Sequence, residues 1–394
     1  MKRLKFEKIP APLFTLGLPH TINKTCASHE ITLRRYNVGD VNMNNNIKLA
    51  HGAGGELMDK LINDTIIKYF IKNNQQNIDV PLSALDDSAV IDDIVFTTDS
   101  HVIKPLFFPG GDIGSVAVAG TVNDISVMGA QPIALSAGFI LEEGFPMNKF
   151  EKIVQSISTT AKIAGVPIIT GDTKVMEKNA IQEFVINTSG IGKRTEQLEN
   201  NFSEVKKYRK FTSKWLLDSN LKEGDKIIIS GNIGEHGIAL LSFREGYDFH
   251  TNIRSDVAPI NGLMNKVLAV GGIVTAKDPT RGGLANTLNE LSEKSSIGMI
   301  VYEENIPVPE GVVAACEMLG IDPLEIGNEG KVVLGVVKEK AEDVLKVMKK
   351  HPLGKNAEII GEATSTTREV LLETAVGGKR ILHKPLGDPI PRIC

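Results

Sequence analysis

Only three cysteines, Cys26, Cys316 and Cys394, occur in 394 residues. So far apart, they form neither a disulfide framework nor a zinc ribbon, and they suit a reducing cytoplasm. No apolar run approaches the roughly 20 residues that span a bilayer. The short apolar stretch at 12–18 is broken by proline and glycine, which argues against a signal peptide. A net charge of −4 provides no positive field for nucleic acid. There is no Walker A loop, no dinucleotide fingerprint and no solenoid repeat. What is present is a globular composition, 42% hydrophobic and 23% charged, on a chain long enough for two cores.

Residues 1–46 lack sustained periodicity and end in a polar run at 42–46, so they are expected to form an N-terminal extension outside the first domain. Helical spacing begins at 57–71, with Leu57, Leu61, Ile62, Ile66, Ile67 and Phe70 on one face. Strands are expected at 84–91 and 94–98 around a turn at Asp92 and Asp93. A small-residue helix over 113–128, a strand at 133–141, an amphipathic helix at 150–164 and strands at 166–170 and 180–191 follow. This mixture predicts an α+β fold rather than regular βαβ winding. The charged stretch 196–220 reads as a linker between a first domain, 47–195, and a second, 221–376. In the second, strands at 226–230, 273–276, 299–302 and 331–337 are interspersed with helices at 235–243, 264–270, 284–294 and 341–350. Beyond Gly377, Pro385, Pro389 and Pro391 exclude a regular helix. The chain is therefore expected to finish as an extended, flexible tail over 377–394.

The residues that can carry chemistry are mostly acids and glycines. Asp86, Asp87, Asp99, Asp124, Asp172 and Asp278 lie at the ends of apolar runs or beside glycine turns. Carboxylates so placed suit Mg²⁺, which completes its shell with water and phosphate oxygens. Taken singly, each is equally well read as a solvated turn residue. Gly54 and Gly55, Gly110 and Gly111, and Gly282 and Gly283 let backbone N–H groups approach a phosphate, although a structural turn explains any one of them. Lys174, two residues after Asp172, is a candidate phosphate partner or proton carrier. Glu329, between Asn328 and Gly330, is a candidate carboxylate base. Cys394 is the last residue of a proline-stiffened tail. The ~16 extended residues after Gly378 reach about 50 Å, enough to bring its thiol into a cleft, and Arg392 is placed to favour the thiolate.

Together these pieces resemble one family, the hydrogenase maturation factor HypE, within the aminoimidazole ribonucleotide synthetase (PurM-like) superfamily. The resemblance rests on HGAGG at 51–55, DDSAV at 86–90, TTDS at 97–100, FFPGGDIG at 107–114 and AGTVNDISVMGA at 119–130. GDTKV at 171–175, DPTRGGLA at 278–285, NEGK at 328–331 and the terminal PRIC extend it over about 47–394. It implies a PurM-like two-domain fold: an N-terminal domain that forms a homodimer, a C-terminal αβ domain, and ATP with Mg²⁺ in the cleft between them. Gly54, Gly55, Asp99, Gly110, Gly111, Asn123 and Asp172 would bind ATP, and Asp86, Asp87, Asp99, Asp124 and Asp278 would hold the metal. In such proteins a carbamoyl group arrives on the terminal thiol, here Cys394, from the carbamoyltransferase HypF. ATP-dependent dehydration then leaves a thiocyanate, whose cyano group passes to iron on HypC–HypD for the [NiFe]-hydrogenase centre. Lys174 or Glu329 would take the amide proton, the choice between them being open, and Arg392 would help to seat the tail. The extension before residue 47 and the length of the 196–219 stretch depart from the family pattern. A thiamine-monophosphate kinase or selenophosphate synthetase would share the acids without needing the terminal cysteine, and a docking scaffold, with the tail as a peptide that other maturation proteins bind, would not need the acids.

Overall fold

The computed structural model describes residues 46–52, 54–70, 78–246, 253–387, 389–390 and 392–394. The expectation for residues 1–46 lies outside these, apart from Asn46.

The first half builds a six-stranded sheet in the order β1-β2-β3-β8-β6-β7. Its strands are β1 (Ile78–Val80), β2 (Ala89–Ile91), β3 (Ile94–His101), β6 (Gln131–Glu142), β7 (Ile168–Met176) and β8 (Phe184–Lys193), while β4 (Phe107–Phe108) and β5 (Gly111–Asp112) form a separate ribbon. Helices α1 (Glu56–Leu61) and α2 (Lys68–Phe70), joined by a wider helical turn, precede the sheet. Helix α3 (Ile113–Val127) is buried almost throughout because Gly, Ala, Ser and Val leave room for neighbours on every side. Its start is set by a reciprocal cap. Asp112 Oδ1 accepts the N–H groups of Gly114 and Ser115 at 2.8 and 2.9 Å, and Ser115 Oγ accepts that of Asp112 at 2.9 Å. Helix α4 (Met147–Ala164) buries Ile153, Ile157 and Ala161 along one face.

The strand expected at 84–91 shortens to β2. Leu85 takes a left-handed conformation, φ 53°, and the chain turns there, which frees Asp86 and Asp87 from a regular ladder. The strand expected to stop at Thr170 instead continues to Met176 as β7, the edge strand of this sheet among the described residues, paired in parallel with β6. Gly171, Asp172, Thr173 and Lys174 are thus mid-strand residues and not a turn.

The segment 196–220 carries helix α5 (Glu196–Val205), capped by Thr195, with Leu198, Phe202 and Val205 buried. The second half builds a seven-stranded sheet in the order β10-β12-β9-β13-β11-β14-β15. These strands are β9 (Lys226–Ile229), β10 (Ile273–Lys277), β11 (Gly298–Tyr302), β12 (Val333–Val336), β13 (Glu358–Thr364), β14 (Val370–Glu373) and β15 (Lys379–Ile381). Around them lie α6 (Glu235–Glu245), α7 (Asn261–Val270), α8 (Gly283–Ser295), α9 (Glu310–Leu319) and α10 (Ala341–Lys349). One apolar cluster joins the halves: Val90, Val95 and Ile125 share it with Ile228, Ile260 and Val332. That shared core holds the ends of β3 and β10 at one cleft.

The C-terminal segment is docked. β15 pairs antiparallel with β14, and the chain then crosses back to the first half. The N–H groups of Lys104 and Val102 donate to main-chain oxygens of Arg392 and Cys394 at 3.2 and 3.4 Å. Ile390 and Ile393 are buried in the same apolar cluster as Val116 and Ile238.

Candidate active site

A cavity of about 560 Å³ opens between the two sheets, within the size range of small-molecule sites. Asp86, Asp87, Asp99, Asp124, Asp278 and Glu329 all line it, and so does Cys394. The placing of the acids follows from the elements. Asp99 sits near the end of β3, Asp124 in the last turn of α3, and Asp278 directly after β10. Glycine is required on the opposite wall. Gly54 and Gly55 have φ of 76° and 73°, and a Cβ on Gly55 would stand 2.2 Å from the Pro385 oxygen.

The acids repel one another at close quarters. Burial, with Asp218 beside it, lifts the Asp86 pKa to about 7. Burial and the neighbouring Asp87 lift Asp278 to about 8. Burial followed by Asp278, Asp99 and Asp87 holds Asp124 well above the ordinary carboxylate range, although Thr97 Oγ1 donates to its Oδ2 at 2.8 Å. Glu329 is raised in the same way, by burial and then by Asp278, Asp99 and Asp256. Asp278 Oδ2 is buried without a hydrogen-bond partner.

That donor set fits a divalent cation: hard oxygens, an orphaned carboxylate oxygen and negative charge awaiting compensation. Among the described residues no three His, Cys, Asp or Glu side chains close into a ready-made cage, as befits an ion that shares its shell with phosphates and water. Asp99, Asp124 and Asp278 are the residues that would hold it.

Several cations escaped sequence reasoning. Lys277 reaches Asp87 at 2.7 Å, Asp218 at 3.1 Å and Glu290 at 3.2 Å. Lys294 reaches Asp218 at 2.7 Å, and Lys384 binds Asp59 at 2.6 Å. Arg281 lies in the pocket wall, and the negative charge at Cys394 is the largest influence pushing its pKa up, against burial. Arg281 follows Asp278 in a glycine-rich turn already singled out, so it was within reach of the sequence. His101 lies 3.5 Å from Asp99 Oδ2, and burial holds its pKa below the ordinary histidine value.

Other expected site residues fall elsewhere. Asp172 and Lys174 pair at 2.7 Å on β7, both 67% exposed in their side chains, and neither lines the acid pocket. Alternation along a strand puts residues two apart on one face, which explains the pairing. Asp172 borders a different, mostly apolar concavity between α4 and β7, of about 920 Å³. Gly110 and Gly111 pack against Ser255 and Val257. Asn123 is buried, and its amide is occupied by the backbone of Ala258, Glu329 and Ile260 at 3.2, 3.2 and 2.8 Å. Arg392 donates to the Val102 carbonyl at 3.0 Å and to Gln182, outside the pocket lining.

Comparison with known proteins agrees with this architecture. Residues 85–193 match the model of the AIR synthase related protein N-terminal domain, and residues 222–372 that of its C-terminal domain. Carbamoyl dehydratase HypE of Azotobacter vinelandii is 43% identical over 359 residues, covering 89% of this chain and 98% of that protein. The chain belongs to the HypE family. A solved HypE–HypF complex superposes with a TM-score of 0.74 at 46% identity, over 82% of this chain and 99% of that one. HypE solved in complex with ATP gives 0.70 at 40% identity, over 89% and 100%.

Proposed function

We propose that this member of the HypE family dehydrates a carbamoyl group carried on Cys394, at the expense of ATP, to leave a thiocyanate. One observation carries the reading: the docked C-terminus puts Cys394 in the same pocket as the acid cluster, Arg281 and Glu329. The relatives named carbamoyl dehydratase, the ATP complex and the HypF complex support it.

The chemistry needs an activated oxygen, because the oxygen of a carbamoyl thioester is a poor leaving group. That oxygen attacks the γ-phosphorus of ATP, the bond to the ADP oxygen breaks, and an O-phosphorylated imidate remains on the sulfur. One N–H proton passes to Glu329 as the imidate forms, and the second leaves with the phosphate. The C–O bond breaks and the nitrogen electrons close the C≡N bond. Asp99, Asp124 and Asp278 would hold magnesium, which would supply Lewis acidity toward the phosphates and offset the repulsion among these carboxylates. Glu329, in the same pocket as Cys394, would in its carboxylate form accept the amide proton. The Arg281 guanidinium, beside Cys394, favours the charge that develops on the transferring phosphoryl group.

Lys174 fits this scheme through a second copy of the chain. β7 is an edge strand exposed along its length, with Ile169 and Val175 64% and 69% exposed, and an apolar edge of this kind calls for a cover. A homodimer through β7 provides one and lets the Lys174 of one copy serve the pocket of the other. A HypF-type carbamoyltransferase loads Cys394, a HypC–HypD-type complex receives the cyano group, and a reducing cytoplasm keeps the thiol available. Intact mass spectrometry after incubation with the carbamoyltransferase, carbamoyl phosphate and ATP tests this. A carbamoyl addition at Cys394 followed by ATP-dependent loss of one water is expected. ATP turnover unchanged in Cys394→Ala with a small phosphate acceptor would refute it.

A further inference from the structure

His236 is fully buried in α6, and the carbamoyl chemistry makes no use of it. Its Nε2 lies 2.7 Å from the Ile393 carbonyl oxygen and its Nδ1 lies 2.7 Å from Ser255 Oγ. A carbonyl oxygen only accepts, so Nε2 carries the proton. Ser255 Oγ accepts the Val257 N–H at 3.1 Å, and its own hydrogen is thereby directed to Nδ1. The ring is neutral, its tautomer is fixed, and burial holds its pKa below the ordinary value. The edge-to-face contact with Phe108, centroids 5.5 Å apart, fixes the plane of the ring.

The other end of this chain of hydrogen bonds is the peptide joining Ile393 to Cys394. The Ile393 side chain is 2% exposed and lies over Gly327, where an added Cβ would approach its Cδ1 to 2.6 Å. Gly327 stands two residues before Glu329, so seating Ile393 sets the distance from Cys394 to that carboxyl. Two further backbone contacts, from Lys104 to Arg392 and from Val102 to Cys394, are longer at 3.2 and 3.4 Å, and the contact of the Arg392 side chain with Val102 is solvent-exposed. Withdrawal of the tail leaves a buried N–H donor without a partner, which favours the docked state.

We propose that His236 is the positioning residue that latches the C-terminal tail in the pocket, by donating its Nε2 hydrogen to the Ile393 carbonyl with Ser255 fixing the tautomer. The latch rests on the reading of Cys394 as a carrier that must leave to be loaded and return to react, but its first readout does not depend on that reading.

The test uses the full-length chain as wild type, His236→Leu, which lacks the donor, and His236→Gln, whose amide N–H reaches toward the position of Nε2. Iodoacetamide alkylation is timed at the C-terminal peptide, so that Cys26 and Cys316 do not contribute. Loss of the hydrogen bond is expected to speed alkylation of Cys394 by about fivefold in His236→Leu, with His236→Gln close to wild type. After loading by the carbamoyltransferase, single-turnover water loss should slow by about the same factor in His236→Leu and recover in His236→Gln, while loading proceeds at least as fast as in wild type. Should His236→Leu fail to fold, Ser255→Ala keeps the imidazole, releases its tautomer and should raise alkylation in the same direction. Alkylation equal to wild type in the folded variants overturns the latch. Faster alkylation in the variants with no water loss in any protein, wild type included, upholds the latch and removes the dehydratase reading.

Discussion

Lys277 Nζ stands 2.7 Å from Asp87 Oδ1, whereas Asp278, the next residue along the chain, buries an oxygen with no hydrogen-bond partner among the described residues. That contrast sorts acids which look equivalent in the sequence. Asp87 is already compensated by a fixed cation, and Asp86 accepts the Asp218 N–H at 3.0 Å with Lys294 4.0 Å away. Asp278 and Asp124 remain to be compensated from outside. Charge from a bound ion is therefore most useful at the Asp278 side of the pocket.

Lys277 holds three buried or half-buried carboxylates together, and burial of its charge is outweighed by Asp218, Asp87 and Glu290. Lys277→Met leaves that charge uncompensated. A loss of about 3–5 kcal/mol of stability is expected, measured by denaturant unfolding followed by fluorescence of Trp215, which lies in the core that joins the two sheets.

Asp278→Asn should act in the opposite direction on stability. An amide avoids the burial cost of a charge repelled by Asp87, so the nucleotide-free variant should melt no lower than wild type. Without a full carboxylate for the cation, magnesium-dependent ATP turnover should fall by about 10- to 100-fold. Differential scanning calorimetry paired with a phosphate-release assay would show the split, and a drop in both would contradict it.

Much of this site was legible because Asp99, Asp124 and Asp278 lie at the ends of apolar runs or beside glycine turns, and because a proline-stiffened tail ending in Cys394 can reach a cleft. The compensating cations were not. Lys277 and Asp87 are 190 residues apart, and Lys294 and Asp218 are 76 apart, so no local spacing announces either pair. The strand expected at 166–170 is shorter than β7 because Gly171, Asp172 and Thr173 look like a turn; an edge strand exposed on both faces shows no alternation of polar and apolar residues to reveal it. His236 lay in a helix expected from its pattern, but its partner, the Ile393 carbonyl, is a backbone atom 157 residues away.

Stability without nucleotide should fall as pH rises. The folded pKa values of Asp86, about 7, and Asp278, about 8, lie above the unfolded value of 3.8. Between those limits the folded state binds more protons than the unfolded one, so the contribution is full below pH 3.8 and is lost as pH passes 7 and then 8. The melting temperature should therefore drop from pH 6 to 9, and Mg-ATP should flatten the slope. A melting temperature that rises across that window without nucleotide would contradict the assignment.

The position of Lys174 makes the last prediction a matter of which chain supplies it. It stands on β7, ion-paired to Asp172 and absent from the lining of its own chain's pocket. If two copies meet through β7, a Lys174→Ala chain retains Cys394 and can borrow Lys174 from a Cys394→Ala partner. Each variant alone should be inactive in ATP-dependent water loss. Mixing them in equal amounts with subunit exchange gives mixed dimers in half the population, each with one complete site. Activity should return to about a quarter of wild type, as expected for random pairing in a two-fold assembly. No recovery, with exchange verified by native mass spectrometry, would place the action of Lys174 within its own chain or outside the reaction altogether.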